Sequence, residues 1–200
     1  MGMLDVVLPV NCVGCGRRGA SVCDRCLHEM EPGGWVEGVS MPVVAAVAYR
    51  GVARELVVAL KYRRRRDALG WMADAVASTV VWAGLTPAAV TWVPASRAGR
   101  RSRGFDQGRL LASEVGRRLG LPVARLLERT GSGRQVGLDR QGRYAEAGRI
   151  AATSAAPGAE AAVLVVDDVV TTGASMASAR AALHSAGVRQ VVGAAFAHKP

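Results

Sequence analysis

Short apolar runs alternate along this chain with longer stretches whose apolar positions recur every three or four residues. "VVAAVAY" (43–49), "AVTWV" (89–93), "AAVLVV" (161–166) and "VRQVVGAAFA" (188–197) predict buried strands, and a further short strand is expected near 123–127. Helical spacing predicts helices over 52–62, 67–82, 105–119 and 174–186; in the third, Leu110, Leu111, Val115 and Leu119 fall near one face. Strands alternating with helices predict an α/β fold with a mostly parallel sheet covered on both sides. Residues 129–149 are polar and rich in glycine and arginine. That segment is too long for an ordinary turn, so it is either functional or disordered.

The longest charge-free stretch, Ala75 to Ser96, raises the question of a membrane span. Gly84, Pro87 and several hydroxyl residues interrupt it, and it reads better as a helix end, a turn and a strand. The opening "MGMLDVVLPVNC" has no positively charged segment ahead of its apolar residues, so no secretory signal and a cytoplasmic location are expected. A chain of 200 residues, half of them apolar, can bury one good core with room for a small appended module. Its formal charge is +10, and every basic residue except Lys61 and Lys199 is arginine. Arginine grips phosphate with two parallel hydrogen bonds. The balance therefore favours an acidic partner, nucleic acid or a phosphorylated metabolite, although a compositional bias toward arginine produces the same excess.

All four cysteines lie near the start, as Cys12, Cys15, Cys23 and Cys26, in the pairs "CVGC" and "CDRC". Each pair lets two sulfurs close on one ion from a tight turn, and two such turns complete a tetrahedral thiolate cage suited to zinc. Two disulfides are the rival arrangement, which a reducing compartment disfavours. Four protein ligands leave no open position, so the metal would hold structure. Gly14 and Gly16 suit the positive φ that such turns need, and His28 reads as a surface residue. "EPGG" (31–34) reads as a linker. The expected organisation is a four-cysteine module over residues 1–40 and an α/β domain over 41–200.

The stretch "VLVVDDVVTTGAS" (163–175) carries the main candidate chemistry. Ligands of open parallel sheets bind beyond the carboxyl ends of the strands, where Asp167 and Asp168 are expected. The turn Thr171, Thr172, Gly173, Ala174, Ser175 then offers backbone N–H groups at a helix start, an anion site strengthened by the helix dipole. Carboxylates repel phosphate, so they would face another part of the ligand, and vicinal hydroxyls fit. A ribose 5-phosphate satisfies both halves. The chain has neither a GxxxxGK[ST] loop nor a GxGxxG turn after a strand. The plainer alternative is that Asp168 is a turn residue or helix cap of an ordinary βαβ unit.

At these residues the chain resembles the phosphoribosyl pyrophosphate (PRPP) loop of type I phosphoribosyltransferases. Together with the cysteine pairs, "LKY" (60–62), "VPASRAGRRSRGFDQ" (93–107) and "RQVGLDRQGR" (134–143), it resembles the ComF family over nearly its whole length. Asp106 and Glu146 stand where that family usually has Asn, and Ser175 where Thr is common. The resemblance implies a phosphoribosyltransferase-type domain in which Asp167 and Asp168 hold the ribose hydroxyls and Thr171 to Ser175 the 5-phosphate. It further implies that Pro94 to Arg97 form a pyrophosphate loop working with Mg²⁺, and that 129–149 form a loop closing over the site. Arg97, Arg101, Arg134, Arg140 and Arg143 are candidate donors to the leaving group. The function expected is binding of PRPP and transfer of its phosphoribosyl group to a nucleophile. The alternative is a single-stranded DNA-binding protein of the DNA-uptake machinery, with the PRPP site as a ligand pocket and "KYRRRR" (61–66) and "RAGRRSRG" (97–104) along the strand path.

Overall fold

A computed structural model of the chain describes residues 10–62, 65–96, 99, 101, 104–130, 149–155 and 161–200. Its centre is a five-stranded sheet in the order β1-β2-β7-β6-β3, formed by β1 (Pro32–Trp35), β2 (Val43–Ala48), β3 (Ala89–Trp92), β6 (Val163–Val170) and β7 (Val191–His198). The four strands β2, β7, β6 and β3 are mutually parallel, and only the edge strand β1 runs antiparallel. A small hairpin, β4 (Leu127–Thr130) with β5 (Arg149–Ala152), stands apart. The α/β fold with a mostly parallel sheet is therefore as the alternation of patterns predicts.

Both faces of the sheet are covered. On one, α2 (Gly51–Tyr62), α3 (Leu69–Trp82) and α4 (Gln107–Leu119) pack Leu56, Leu60, Met72 and Leu111 against Val44, Leu164, Val166 and Phe196. On the other, α5 (Ala174–Ser185) packs Met176, Ala179 and Leu183 against Val43, Val165 and Ala195. Strands buried on both faces need apolar residues at consecutive positions, which is why β6 and β7 read as unbroken runs. The charge-free stretch resolves into the end of α3, a turn and β3. No helix among the described residues is long and apolar enough to cross a membrane.

Several elements differ from expectation. The 31–34 segment is not a bare linker: Pro32–Trp35 is β1, paired with Val44 to Val47 of β2. Gly33 permits this pairing, because a Cβ there would collide with the Ala45 carbonyl. Of the strand expected at 123–127, Val123 forms a lone bridge to Val90 and Leu127 opens β4, paired with Ala152, so the segment does not form one strand. A buried Thr91 hydroxyl takes the Leu126 N–H at 3.3 Å instead. The strand expected to end at residue 166 runs on to Val170. Most of the long polar segment, residues 131–148, lies outside the described residues.

Candidate functional site

Because β6 continues to Val170, Asp167 and Asp168 lie inside the strand, and adjacent strand residues point to opposite faces. Asp167 borders a cavity of about 60 Å³ walled by Thr171, Thr172, Gly173, Ala174 and Ser175. Asp168, 3% exposed, meets α2 instead: Lys61 Nζ lies 2.9 Å from its Oδ1. The structure thus brings Asp167 together with the turn and gives Asp168 a different neighbour. The sequence pattern points to Lys61 only through the "LKY" likeness and as part of "KYRRRR" on the alternative nucleic-acid path, not as a partner of Asp168. The signal was its place one residue from the end of an amphipathic helix, at a point the fold turns toward β6.

The other Asp168 oxygen, Oδ2, is buried without a hydrogen-bond partner among the described residues. Such an atom ordinarily costs about 1–3 kcal/mol and calls for a reason. The Asp168 N–H is held by Asp167 Oδ1 at 2.8 Å, locking the two carboxyl groups in their divergent arrangement. Burial, and then the Asp168 carboxylate next to it, push the Asp167 carboxyl up to about 8. Lys61 and Arg129 pull the other way without cancelling this.

The turn is built for close approach. Gly173, the N-cap of α5, has φ 71°, and a Cβ there would stand 2.5 Å from Val39 Cγ2. Only glycine satisfies both constraints. Thr171, Thr172, Ala174 and Ser175 are exposed, and the Ala174 N–H donates to the Thr172 hydroxyl at 3.4 Å. They stand at the N-terminus of α5, the positive end of its dipole, and line the same cavity as Asp167.

The loop after β3 runs alongside. The Val93 N–H donates to Val166 O at 3.0 Å, so residues 94–96 follow the end of β6. Two groups hold this loop: Arg129 Nε donates to Pro94 O at 2.7 Å, and Asp106 Oδ2 accepts the Ala95 N–H at 3.2 Å. Asp106 Oδ1 caps α4 through the Arg109 N–H at 3.3 Å. The acid at 106 thus serves as a double acceptor. Arg129, outside the earlier set of donors, holds this loop and lies near enough to Asp167 for its charge to be felt there. Arg97, Arg134, Arg140, Arg143 and Glu146 lie outside the described residues, and Arg101 is exposed.

The cysteines come together as their spacing predicts. Ligand atoms of Cys12, Cys15, Cys23 and Cys26 all lie within 4.8 Å of one another, and Cys15 and Cys23 sulfurs are 3.6 Å apart. Sulfurs at Zn–S lengths near 2.3 Å around a tetrahedral ion stand about 3.8 Å apart, so the cluster fits such an ion. None of the four is in a disulfide. Burial opposes ionisation of Cys12, yet backbone N–H groups of Cys15, Cys23 and Gly14 bring it down to about 6. Burial and the neighbouring thiols push Cys26 up. Gly16 has the positive φ expected, 75°, whereas Gly14 does not; its need is space, since a Cβ would lie 2.8 Å from Cys26 Sγ. His28 is exposed, as expected. Cys12 and Cys26 share the core of α2 and α3. Arg65 ties the cluster down, donating to Asn11 O at 2.6 Å and pairing with Asp67. Arg66 lies over the Phe105 ring, 4.5 Å from its centroid. Both described arginines of "KYRRRR" therefore have partners within the fold.

No known family profile matches the chain, and no curated protein matches its sequence. Among solved structures it is similar to the glutamine PRPP amidotransferase of B. subtilis, at 19% identity over 68% of this chain, with a TM-score of 0.47. The chain spans only 30% of that protein's length. It is also similar to an adenine phosphoribosyltransferase at 17% identity, covering 70% of this chain and 75% of the other with a TM-score of 0.48. A third similar structure is the adenine phosphoribosyl transferase of Trypanosoma brucei, in complex with AMP, pyrophosphate and ribose-5-phosphate. It is 10% identical, covering 84% of this chain and 87% of the other with a TM-score of 0.49. At such scores the site has to be argued from its own residues.

Urea denaturation across pH tests the divergent acid pair. A proton that folded Asp167 keeps up to about pH 8 is released by the unfolded chain near 3.8. Stability contributed at this residue is therefore lost as pH rises through that window, and Asp167→Asn removes that part of the slope. Lys61→Met leaves Asp168 as a buried charge without its cation and costs about 3–5 kcal/mol, most of it recovered by adding Asp168→Asn. Equal slopes for wild type and Asp167→Asn, or a neutral Lys61→Met, contradict the arrangement.

Proposed function

We propose that the chain is a phosphoribosyltransferase-type protein that binds PRPP and transfers its ribose 5-phosphate to a nucleophile. The observation that carries this reading is the cavity with Asp167 on one wall and the N-terminal turn of α5 on the other. Phosphate suits exposed N–H groups at a helix start, and sugar hydroxyls suit the carboxyl group facing them. In this reading Thr171 to Ser175 take the 5-phosphate and Asp167 the ribose hydroxyls. Asp168 acts at one remove, held by Lys61, with its unpartnered Oδ2 left for a water or ligand hydroxyl. The loop from Pro94 to Arg97 receives the pyrophosphate, steadied by Asp106 and Arg129.

Transfer from PRPP breaks the bond between C1 and the pyrophosphate oxygen through a cation-like sugar. The leaving group must be neutralised and water excluded. Mg²⁺ is bound through one or two carboxylates plus substrate phosphates. One accessible carboxyl, Asp167, beside a phosphate turn fits that donor set, and the ion would supply charge neutralisation at the pyrophosphate. Since Asp167 holds a proton up to about pH 8, ion binding there displaces it, and affinity for Mg²⁺ with PRPP rises with pH through that range.

The same reading takes the cysteine segment, over residues 1–40, as a zinc module seated on α2, with the ion in a structural role. Val52 of α2 lies against it, 3.0 Å from where a Gly14 Cβ would stand. Purified protein is expected to carry about one zinc per chain and to lose it in Cys12→Ser with Cys23→Ser. Metal analysis of folded, reduced protein that finds none contradicts the module.

Calorimetry separates the two halves of the site. Asp167→Asn weakens PRPP with Mg²⁺ by roughly ten- to a hundred-fold, the loss of about 1.5–3 kcal/mol from a charged hydrogen bond, and leaves inorganic phosphate nearly unchanged. Gly173→Val weakens both, because its side chain runs into Val39 and strains the turn. Wild type that fails to bind PRPP in the presence of Mg²⁺ overturns the proposal. Pyrophosphate release on adding candidate acceptors then distinguishes transfer from binding alone.

A further inference from the structure

A second cavity opens at the carboxyl end of β3, on the side of the sheet that α4 covers. It encloses about 510 Å³, within the roughly 300–1,000 Å³ usual for small-molecule sites. None of its lining residues lines the α5 cavity. Trp92, Phe105 and Leu110 give it an apolar, aromatic wall. Arg66, outside the cavity, covers the Phe105 ring and holds it in place.

The remaining walls carry an excess of positive charge. Arg109 and Ser113, four residues apart on one face of α4, are both exposed, and Arg125 stands with them. The Arg109 guanidinium makes no hydrogen bond or ion pair among the described residues. Arg125 reaches Glu128 at 3.5 Å, an exposed pairing that solvent largely screens. The one carboxylate in the lining, Asp106, already accepts N–H groups from Ala95 and Arg109 with its two oxygens. Aromatic walls facing two weakly engaged guanidinium groups suit a flat ring that carries negative charge.

We propose that this cavity, which borders the 94–97 loop through Pro94, is a ligand site distinct from the α5 cavity for an aromatic ring bearing one anionic group, with the ring against Trp92 and Phe105 and the anion held by Arg109 and Arg125. That chemistry is shared by aromatic carboxylates and nucleoside monophosphates. Calorimetric titration of the full chain carrying Gly173→Val, whose α5 turn no longer takes phosphate, with benzoate and with AMP distinguishes these sources, with inorganic phosphate and adenosine as probes of each half alone. Saturable binding of benzoate or AMP is expected, at least about tenfold tighter than either half-probe. Arg109→Met weakens it by about tenfold or more, as loss of a charged hydrogen bond does. Ser113→Leu, which fills the cavity from an exposed helix position, abolishes it. Asp167→Asn and Gly173→Val retain it, so that failure of the ribose phosphate reading leaves this site standing. Circular dichroism confirms that each variant is folded. Absence of saturable binding by any ring-bearing anion overturns the proposal. So does binding that survives both Arg109→Met and Ser113→Leu, or that is lost in Gly173→Val.

Discussion

Two carboxyl groups at adjacent positions of one buried strand cannot share a face, and the rest of the site follows from how the chain resolves that constraint. Asp168 turns toward α2 and is neutralised by Lys61 at 2.9 Å. Asp167 turns toward the start of α5, where burial and the neighbouring Asp168 outweigh the pull of Lys61 and Arg129, and holds its proton up to about pH 8. One acid therefore serves as a buried anchor between sheet and helix. The other is left at the ligand cavity with a charge that the ligand itself can set. Breaking a buried pair is far costlier than never having had one, so α2 and β6 depend on each other in a way their apolar contacts alone do not require.

Around this pair, backbone groups line much of the cavity wall. Gly173 lets the chain leave β6 and enter α5 with its N–H groups exposed, and Val39 fills the space behind it. That contact ties the segment joining β1 to β2 to the turn before α5, so the antiparallel edge strand supports this cavity as well as the sheet. Asp106 performs a comparable task on the other side, joining the loop after β3 to the first turn of α4. Polar side chains are used here mainly to fix loops, and fixed loops present donors at little entropic cost on binding.

The main strands and helices were legible because burial on both faces demands long apolar runs and helix faces demand their own period. Elements without such a signal were missed. In "PGGW" the glycines that allow β1 to approach Ala45 also erase the strand pattern, and the five residues of α1 (Asp24–His28) are too few for a period to show. The cysteine cluster was legible since spacing alone specifies it. The turn between β6 and α5 was legible for a similar reason, as glycine and hydroxyl residues after a strong strand. What sequence could not convey was the direction of side chains. Placing the strand end at 166 made Asp167 and Asp168 look like two residues of one loop, whereas pairing of Val169 and Val170 with β7 keeps both in the strand and sends them apart. Lys61 and Arg129 were hidden for a related reason, because their partners lie far along the chain and are brought near only by the crossovers.

The central claim is that a sugar phosphate sits between Asp167 and the N-terminus of α5. Amide chemical shifts of isotope-labelled protein during titration with ribose 5-phosphate test it most directly, since they report where the ligand contacts the backbone. The account predicts the largest saturable shifts at the N–H groups of Thr171 to Ser175 and around Asp167, with the residues along α3 unaffected. Saturable shifts centred elsewhere, or none at the α5 turn, would contradict it.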